Sequence, residues 1–139
     1  MVLVEGKDGD FWQRWEDFTK GGLLKEGWIS PEDPGLYRIV SSPEQAVEEI
    51  TSFYRVYQSA RYVHDKLVLR LTRALTEQEL AMLNDEFSIL IESGRIENSA
   101  ALPEEEEVTH LPRLVFHHTK HKFGLVRLLI DRINGFDAP

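Results

Sequence analysis

Residues 66–73 alternate strictly between two faces, and this alternation constrains the fold more than any other feature of the sequence. Leu67, Leu69 and Leu71 would share one face of a strand, because successive side chains of a strand point to opposite sides. Residues 76–79 follow with the Thr-x-x-Glu spacing of a helix capping box. The sequence therefore predicts a half-buried strand over residues 66–73 and a helix directly after it.

The chain beyond residue 76 is predicted to contain a helix, two strands and a last helix. The first helix should end at Gly94, and residues 95–102 and 112–119 are predicted to be strands. The last helix should extend from Phe123 to Asn134. Apolar residues recur at helical spacing in both helices: Leu80, Leu83, Phe87, Leu90 and Ile91 in the first, and Val126, Leu129, Ile130 and Ile133 in the second.

This βαββα order restricts how the sheet can be assembled. A right-handed crossover between the first two strands, with the last two strands as a hairpin, gives a ferredoxin-like or ACT-like unit without its final strand. One edge of strand 66–73 then has no partner within residues 64–139. Since long apolar edges are rarely left unpaired, we expect the N-terminal segment, or the same edge of a second copy, to cover it.

The first 63 residues have a different organisation. Ser42 is positioned to cap a helix, Pro43 suits its first position, and Gln45 can close a capping box. The predicted elements are a strand at 2–4, a helix at 10–25 with Asp10 as N-cap, a strand at 36–40, and a helix from Ser42 to about Tyr62. We therefore predict a mixed α/β (α+β) chain with two parts, residues 1–63 and residues 64–139.

Aromatic residues are concentrated in the predicted helices of the first part. Trp12 and Trp15, and likewise Tyr54 and Tyr57, recur at helical spacing, which is more typical of a core or an interface than of a ligand-stacking wall. Three tryptophans lie within the first 28 residues, and this short segment cannot cover so large an apolar face by itself. We expect these four residues, together with Leu69 on the open strand edge, to contribute to an interface.

Composition excludes several classes of function. The chain of 139 residues contains no cysteine, which excludes disulfides, thiolate nucleophiles and Cys-ligated metal sites. Its formal net charge of −8 makes nucleic acid and anionic membranes poor partners. No apolar run reaches the ~18 residues that span a bilayer, and the first residues do not resemble a signal peptide. We therefore expect a cytoplasmic protein.

One histidine cluster is a candidate site. His117, His118 and His121 could hold zinc or nickel, but neighbouring residues on a strand point to opposite faces, which disfavours a shared metal. His118, Lys120, His121 and Lys122 form the only local basic patch of the sequence, near the start of the last helix, and are a candidate anion site. The alternative is a polar strand end that leads into a helix.

Other signatures of catalysis or cofactor binding are missing from the sequence. It contains no Gly-x-Ser-x-Gly elbow, no Gly-x-Gly-x-x-Gly loop and no Walker loop. The four glutamates at 104–107 are adjacent and do not converge, so they are predicted to form a solvated hairpin loop rather than a cation site. Spacing therefore identifies no catalytic residue, no metal site and no cofactor.

An ordered set of short segments resembles the end of a LOG-family domain, a Rossmann-like fold. The segments in residues 1–53 are Val2-Leu3-Val4-Glu5-Gly6, Phe11-Trp12, Glu26-Gly27-Trp28-Ile29-Ser30-Pro31-Glu32-Asp33 and Ser42-Pro43-Glu44-Gln45-Ala46-Val47. Residues 61–139 resemble the C-terminal extension of longer bacterial members, through Arg61-Tyr62-Val63, Leu67-Val68-Leu69-Arg70-Leu71, Ser93-Gly94-Arg95-Ile96-Glu97 and Leu111-Pro112-Arg113-Leu114. The resemblance implies residual Rossmann elements before the βαββα unit, and a family whose studied members are cytokinin riboside 5′-monophosphate phosphoribohydrolases.

The sequence departs from this family in one important respect. The family's signature, Pro-Gly-Gly-x-Gly-Thr-x-x-Glu with its partner arginine, has no counterpart, so no catalytic residue can be carried over. We expect either a fragment of a longer protein or a stand-alone remnant. The expected function is a non-catalytic accessory module that forms a homodimer or docks on a LOG-type catalytic domain. The alternatives are a small-molecule-binding regulatory domain and a fragment of a phosphoribohydrolase.

Overall fold

A computed structural model describes residues 1–137 and shows a mixed α/β chain with a two-stranded parallel sheet and a four-stranded antiparallel sheet. The chain divides into two compact units. Unit 1 comprises residues 1–52 and 122–128, and unit 2 comprises residues 53–121 together with the chain from residue 129 onward. No helix in the described part of the chain is long and apolar enough to cross a membrane.

Unit 1 is built around a short pair of parallel strands. Val2 pairs with Arg38 and Val4 pairs with Val40. The elements of the unit, in order, are β1 (Val2–Val4), α1 (Phe11–Phe18), a π-helix (Thr19–Leu24), a 3-10 helix (Asp33–Leu36), β2 (Arg38–Val40), α2 (Pro43–Phe53, of which the last residue falls in unit 2) and the first turns of α4 (Phe123–Gly135). The strand, helix, strand order of β1, α1 and β2 accounts for the parallel pairing, because parallel strands need a crossover connection.

The start of α1 differs from the prediction that Asp10 caps it. Asp10 occupies the N-cap position, but its side chain makes no capping hydrogen bond and instead pairs with Arg14 at 3.0 Å. The carboxylate of Glu5 accepts hydrogen bonds from the backbone N–H groups of Trp12 at 2.7 Å and Gln13 at 3.2 Å. A residue outside the helix therefore satisfies the free amides of its first turn.

Unit 2 contains the antiparallel sheet, whose strand order is β3-β4-β6-β5. Lys66 pairs with His117 and Arg70 with Arg113, and β5 pairs with the other side of β6, so β6 lies between β4 and β5. The elements are β3 (Tyr57–Val63), β4 (Lys66–Leu71), α3 (Glu77–Glu86), a 3-10 helix (Ser88–Leu90), β5 (Ile91–Ser99), β6 (Arg113–His118) and the later turns of α4.

The prediction that the second helix continues to about Tyr62 is wrong. Helix α2 ends at Phe53, and Tyr57–Val63 forms β3, which pairs with β4 and covers the edge that the sequence left open. Asn134 explains the change of direction: its Oδ1 accepts hydrogen bonds from Val56 N at 2.8 Å and Tyr57 N at 3.0 Å. Its Nδ2 donates to the Phe53 carbonyl at 2.5 Å, so one buried amide side chain satisfies the backbone where the helix stops.

The prediction that the helix after residue 76 ends at Gly94 is also wrong. Helix α3 ends at Glu86, and the following strand occupies Ile91–Ser99 rather than 95–102. The capping box at Thr76 and Glu79 is confirmed, with Thr76 N donating to Glu79 at 2.7 Å and Glu79 N donating to Thr76 Oγ1 at 3.2 Å. The helix end differs because Ile91 has joined the sheet opposite His118.

The apolar core lies almost wholly in unit 2. Among the described residues, every buried apolar side chain except Leu3 and Tyr37 belongs to that unit. Of the residues predicted to face inward on α3 and α4, Leu80, Leu83, Phe87, Leu90, Leu129, Ile130 and Ile133 are buried, whereas Ile91 and Val126 are half-buried. Helices α1 and α2 contribute no buried residue. The two units therefore differ sharply in how much apolar surface they bury.

Candidate functional site

Helix α2 presents an apolar stripe to the outside. Val47 and Ile50 are one turn apart and are 61% and 48% exposed. The opposite side of the helix carries Glu49, whose carboxylate lies 2.7 Å from Arg127 and 3.9 Å from Arg38. The helix is thus fixed within unit 1 through a charged residue, while its apolar residues face away, which reverses the usual amphipathic arrangement.

Other parts of unit 1 also expose large apolar side chains. Phe11 and Phe18, at the two ends of α1, are 60% and 63% exposed, and Trp28 is 79% exposed. Between them, Trp12 and Trp15 are half-buried. Successive rings meet edge to face: Phe11 with Trp12, Trp12 with Trp15, and Trp15 with the buried Tyr37, at centroid distances of 4.9, 6.1 and 4.8 Å. Ring contacts therefore cover part of this aromatic surface and leave the rest exposed.

The remaining residues predicted for an interface lie in unit 2. Tyr54 is exposed, and its ring stacks on that of Tyr57 at a centroid distance of 6.0 Å. Tyr57 is buried at the start of β3 and is not on the second helix where the sequence placed it. Leu69 has no exposed surface, because β3 and β6 flank its strand and its own chain covers it.

The four-stranded sheet has a second buried face that the alternation did not predict. Val68 and Arg70, expected on the solvent side of a half-buried strand, are 0% and 7% exposed. The loop between β5 and β6 accounts for this burial, because Leu102 packs on a small cluster formed by Val63, Val68 and Val115. Strand β4 is therefore covered on both faces.

The same loop places a carboxylate between two arginines. Glu105 accepts hydrogen bonds from Arg70 Nε and Arg113 Nε, each at 3.0 Å, and from the backbone N–H of Leu102 at 3.1 Å. The Glu105 side chain has no exposed surface, which corrects the prediction that the whole 104–107 run is solvated. Burial alone would raise the pKa of Glu105, but Arg113, the Leu102 amide and Arg70 together hold the pKa below its ordinary value.

The histidine cluster is separated by the fold. His117 faces the side of the sheet that carries Lys66, and its Nδ1 lies 3.0 Å from Asp65, whereas His118 is buried. Burial lowers the pKa of His118, and its Nδ1 accepts the Lys120 N–H at 3.2 Å and lies 2.5 Å from the Tyr62 hydroxyl. Within residues 1–137, no three His, Asp or Glu side chains are placed to hold a metal ion.

The predicted anion patch is divided between the two units. His118, Lys120 and His121 belong to unit 2, and Lys122 belongs to unit 1, where its Nζ lies 3.7 Å from Glu32. Lys120 and His121 are exposed, and His118 is not. The assignment of these four residues to one anion site stays a prediction.

A groove lies on the loop-covered face of the four-stranded sheet in unit 2. Its volume is about 330 Å³, and its lining includes the apolar residues Leu102, Val115 and Phe116. Lys66, Arg95 and His117 bring basic groups to its wall, and Glu97 brings one carboxylate. The sequence does not reveal this groove, because its residues come from three strands and a loop, and only the pairing register brings them together.

No protein-family model, no curated protein and no solved structure is similar enough to this chain to count as a match.

Proposed function

We propose that this chain is a non-catalytic accessory module that docks on a second folded protein domain through the exposed apolar residues of unit 1. The observation that carries the proposal is the orientation of α2, whose Val47 and Ile50 face outward while Glu49 is ion-paired with Arg127. Fully burying one such aliphatic side chain contributes about 1.5–3 kcal/mol. Because these two side chains are about half exposed, a partner surface that covers both would gain about 2–3 kcal/mol in total.

The exposed rings of α1 support the same function. Phe11 and Phe18 are more than half exposed, and Trp28 is more exposed than either. Aromatic residues are enriched in protein interfaces, where they bury large areas at a small cost in side-chain entropy. Three separate elements of unit 1 thus carry apolar side chains of the kind that anchor an interface.

The resemblance to the LOG family suggests a LOG-type catalytic domain as the partner, and a second copy of this chain is the alternative. Calorimetric titration of the chain with a LOG-type catalytic domain, alongside light scattering of the chain alone, separates the two. The proposal predicts either saturable binding to that domain or a homodimer. A chain that is monomeric and binds no such domain would contradict it.

A substituted chain makes the test specific to α2. The double variant Val47→Asp, Ile50→Asp should abolish the association, because it places two charges in the proposed contact. Glu48→Lys changes the charge at an exposed position of the same helix, about 100° or more around the helix from both residues, and is the matched control. Association that survives the double variant, or that Glu48→Lys removes equally well, would rule out the Val47 and Ile50 stripe as the docking surface.

A further inference from the structure

Three rows of side chains cross the loop-covered face of the unit 2 sheet, because paired residues in neighbouring strands project to the same side. The first row contains Lys66, His117 and Ser93. The second row contains Val68, Val115 and Glu97, and the third contains Arg70, Arg113 and Ser99. Two rows of basic and hydroxyl groups therefore flank a central row that is apolar on β4 and β6.

The two arginines of the third row bind an anionic group from within the chain, the carboxylate of Glu105. Glu105 reaches back from the loop and accepts a hydrogen bond from each arginine at 3.0 Å. The arginines and the glutamate are all buried. Two adjacent basic residues on this face, next to an apolar neighbour, thus form a site that holds a carboxylate away from water.

The first row repeats this arrangement at the open end of the face. Lys66 and His117 are half-buried and line the groove together with Ser93. Three exposed carboxylates lie near this row. Asp65 lies 3.0 Å from His117 and is 60% exposed, Glu104 is 51% exposed and lies within electrostatic range of Lys66, and Glu97 lies 3.7 Å from the exposed Arg95. None of these three carboxylates is buried, whereas Glu105 in the third row is.

A bulge in β5 shapes the wall of the groove. The register between β5 and β6 shifts on both sides of Ser93, and Gly94 has a φ of +73°, a conformation that glycine adopts most readily. Asn84 fixes the bulge from the other side, with its Oδ1 accepting from Ile96 N at 2.8 Å and its Nδ2 donating to Ile96 O at 2.9 Å. The wall is therefore preorganised rather than a loose strand end.

We propose that this groove binds a small molecule that carries one anionic group, a carboxylate or a phosphate, beside a short apolar portion. The anionic group lies against Lys66, His117 and Ser93, and the apolar portion lies over Val115 and Leu102. The volume of about 330 Å³ is at the lower end of ligand sites, which restricts the ligand to a small metabolite-sized compound. This site is independent of the docking surface on α2.

Amide-resolved NMR titration of the full chain with three probes tests the proposal. Hexanoate and inorganic phosphate represent the two sources of the anionic group, and hexanamide is the neutral counterpart of hexanoate. The proposal predicts saturable shifts at Ser93, Gly94 and Val115 with hexanoate or with phosphate, and the tighter of the two identifies the preferred group. Failure of both anions to shift these amides would overturn the proposal, and so would equal binding of hexanoate and hexanamide.

Replacing one basic residue of the groove distinguishes anion binding at a specific site from general attraction to positive surface charge. Lys66→Ala should weaken binding of the better probe about tenfold, the effect of losing one charge-assisted hydrogen bond. Arg61→Ala removes an exposed cation from the same sheet outside the groove and should leave the affinity unchanged. Lys66→Gln, which keeps the stem of the side chain, repeats the test if the alanine variant unfolds. Equal weakening by the Lys66 and Arg61 variants would overturn the assignment.

Discussion

Glu105 Oε2 lies 3.0 Å from Arg113 Nε, and neither side chain has any exposed surface. Arg113 also donates to the carbonyl oxygens of Val108, Leu111 and Glu107, at 3.1, 2.5 and 3.3 Å. This one arginine therefore holds both the carboxylate and the backbone of the loop that covers the second face of the sheet.

Removing the charge of Glu105 should destabilise the protein strongly. Glu105→Gln leaves the buried Arg113 without its counter-charge and leaves Arg70 only the exposed Glu107, 3.7 Å away, and breaking a buried pair in this way costs about 3–5 kcal/mol. Chemical denaturation measures the loss. Glu106→Gln, at the exposed neighbouring position, should stay within about 0.5 kcal/mol of the parent chain. Similar losses for the two variants would show that the buried pair has no special role.

Low pH should weaken the contact between Arg73 and Glu79 of α3. Arg73 donates two hydrogen bonds to Glu79, at 3.0 and 2.7 Å, and these bonds, with those from Thr76, outweigh burial and lower the pKa of Glu79 to about 2. A carboxylate with a depressed folded-state pKa stabilises the fold above its unfolded pKa of 4.5 and loses that contribution as the pH falls toward 2.

The Glu79→Gln variant keeps the capping box but removes this titration. Its free energy of unfolding, measured by urea denaturation across pH 4.5 to 2, should fall less steeply than that of the parent chain. Glu77→Gln, an exposed position in the same turn, serves as the control. Parallel curves for the parent chain and Glu79→Gln would contradict the role of the Arg73 contact.

Asn134 should be needed for the switch from α2 to β3. Asn134→Ala leaves the buried amides of Val56 and Tyr57 without their acceptor, and each unsatisfied buried group costs about 1–3 kcal/mol. Amide hydrogen exchange at Val56 and Tyr57 should accelerate more than exchange in β6. The exposed Gln58→Ala variant on the same strand should leave these rates unchanged. Unaltered exchange at these two amides in Asn134→Ala would show that Asn134 is not the cause of the change from helix to strand.

Alanine substitution at two glycines of α4 should have different effects on the stability of the protein. A Cβ at Gly124 would lie 2.6 Å from the backbone of Glu32, so Gly124→Ala forces a shift that costs about 1–3 kcal/mol. A Cβ at Gly135 meets nothing within 4 Å, so Gly135→Ala should be neutral or stabilising by up to about 1 kcal/mol. Thermal unfolding of both variants tests the contrast, and equal melting temperatures would contradict the close approach at Gly124.

Local signals in the sequence predicted local features well. The capping box at Thr76 and Glu79 and the start of α2 at Pro43 depend on residues within four positions of each other, and both are confirmed. The end of α2 depends on Asn134, about eighty residues away, and no local pattern reveals that contact. The same reason explains why helical spacing placed Tyr57 on a helix: its amide is satisfied by a distant side chain.

The candidate sites were harder to predict than the elements. The alternation of residues 66–73 predicted Arg70 on the solvent face, where a charge needs no buried partner, and nothing local singles out Glu105 among four consecutive glutamates. The sequence of α2 could not show that the face with Val47 and Ile50 points outward. That orientation is set by the ion pair of Glu49 with Arg127, seventy-eight residues along the chain.

Hydrogen exchange of α2 is the most direct test of the proposed docking function. Amides of residues 43–53 are followed by mass spectrometry in the chain alone and after addition of a LOG-type catalytic domain, at several concentrations of the chain. The account predicts slower exchange in α2, either with the added domain or with rising concentration of the chain itself, while exchange in β4 and β6 stays constant. Exchange in α2 that is unchanged under every condition would contradict it.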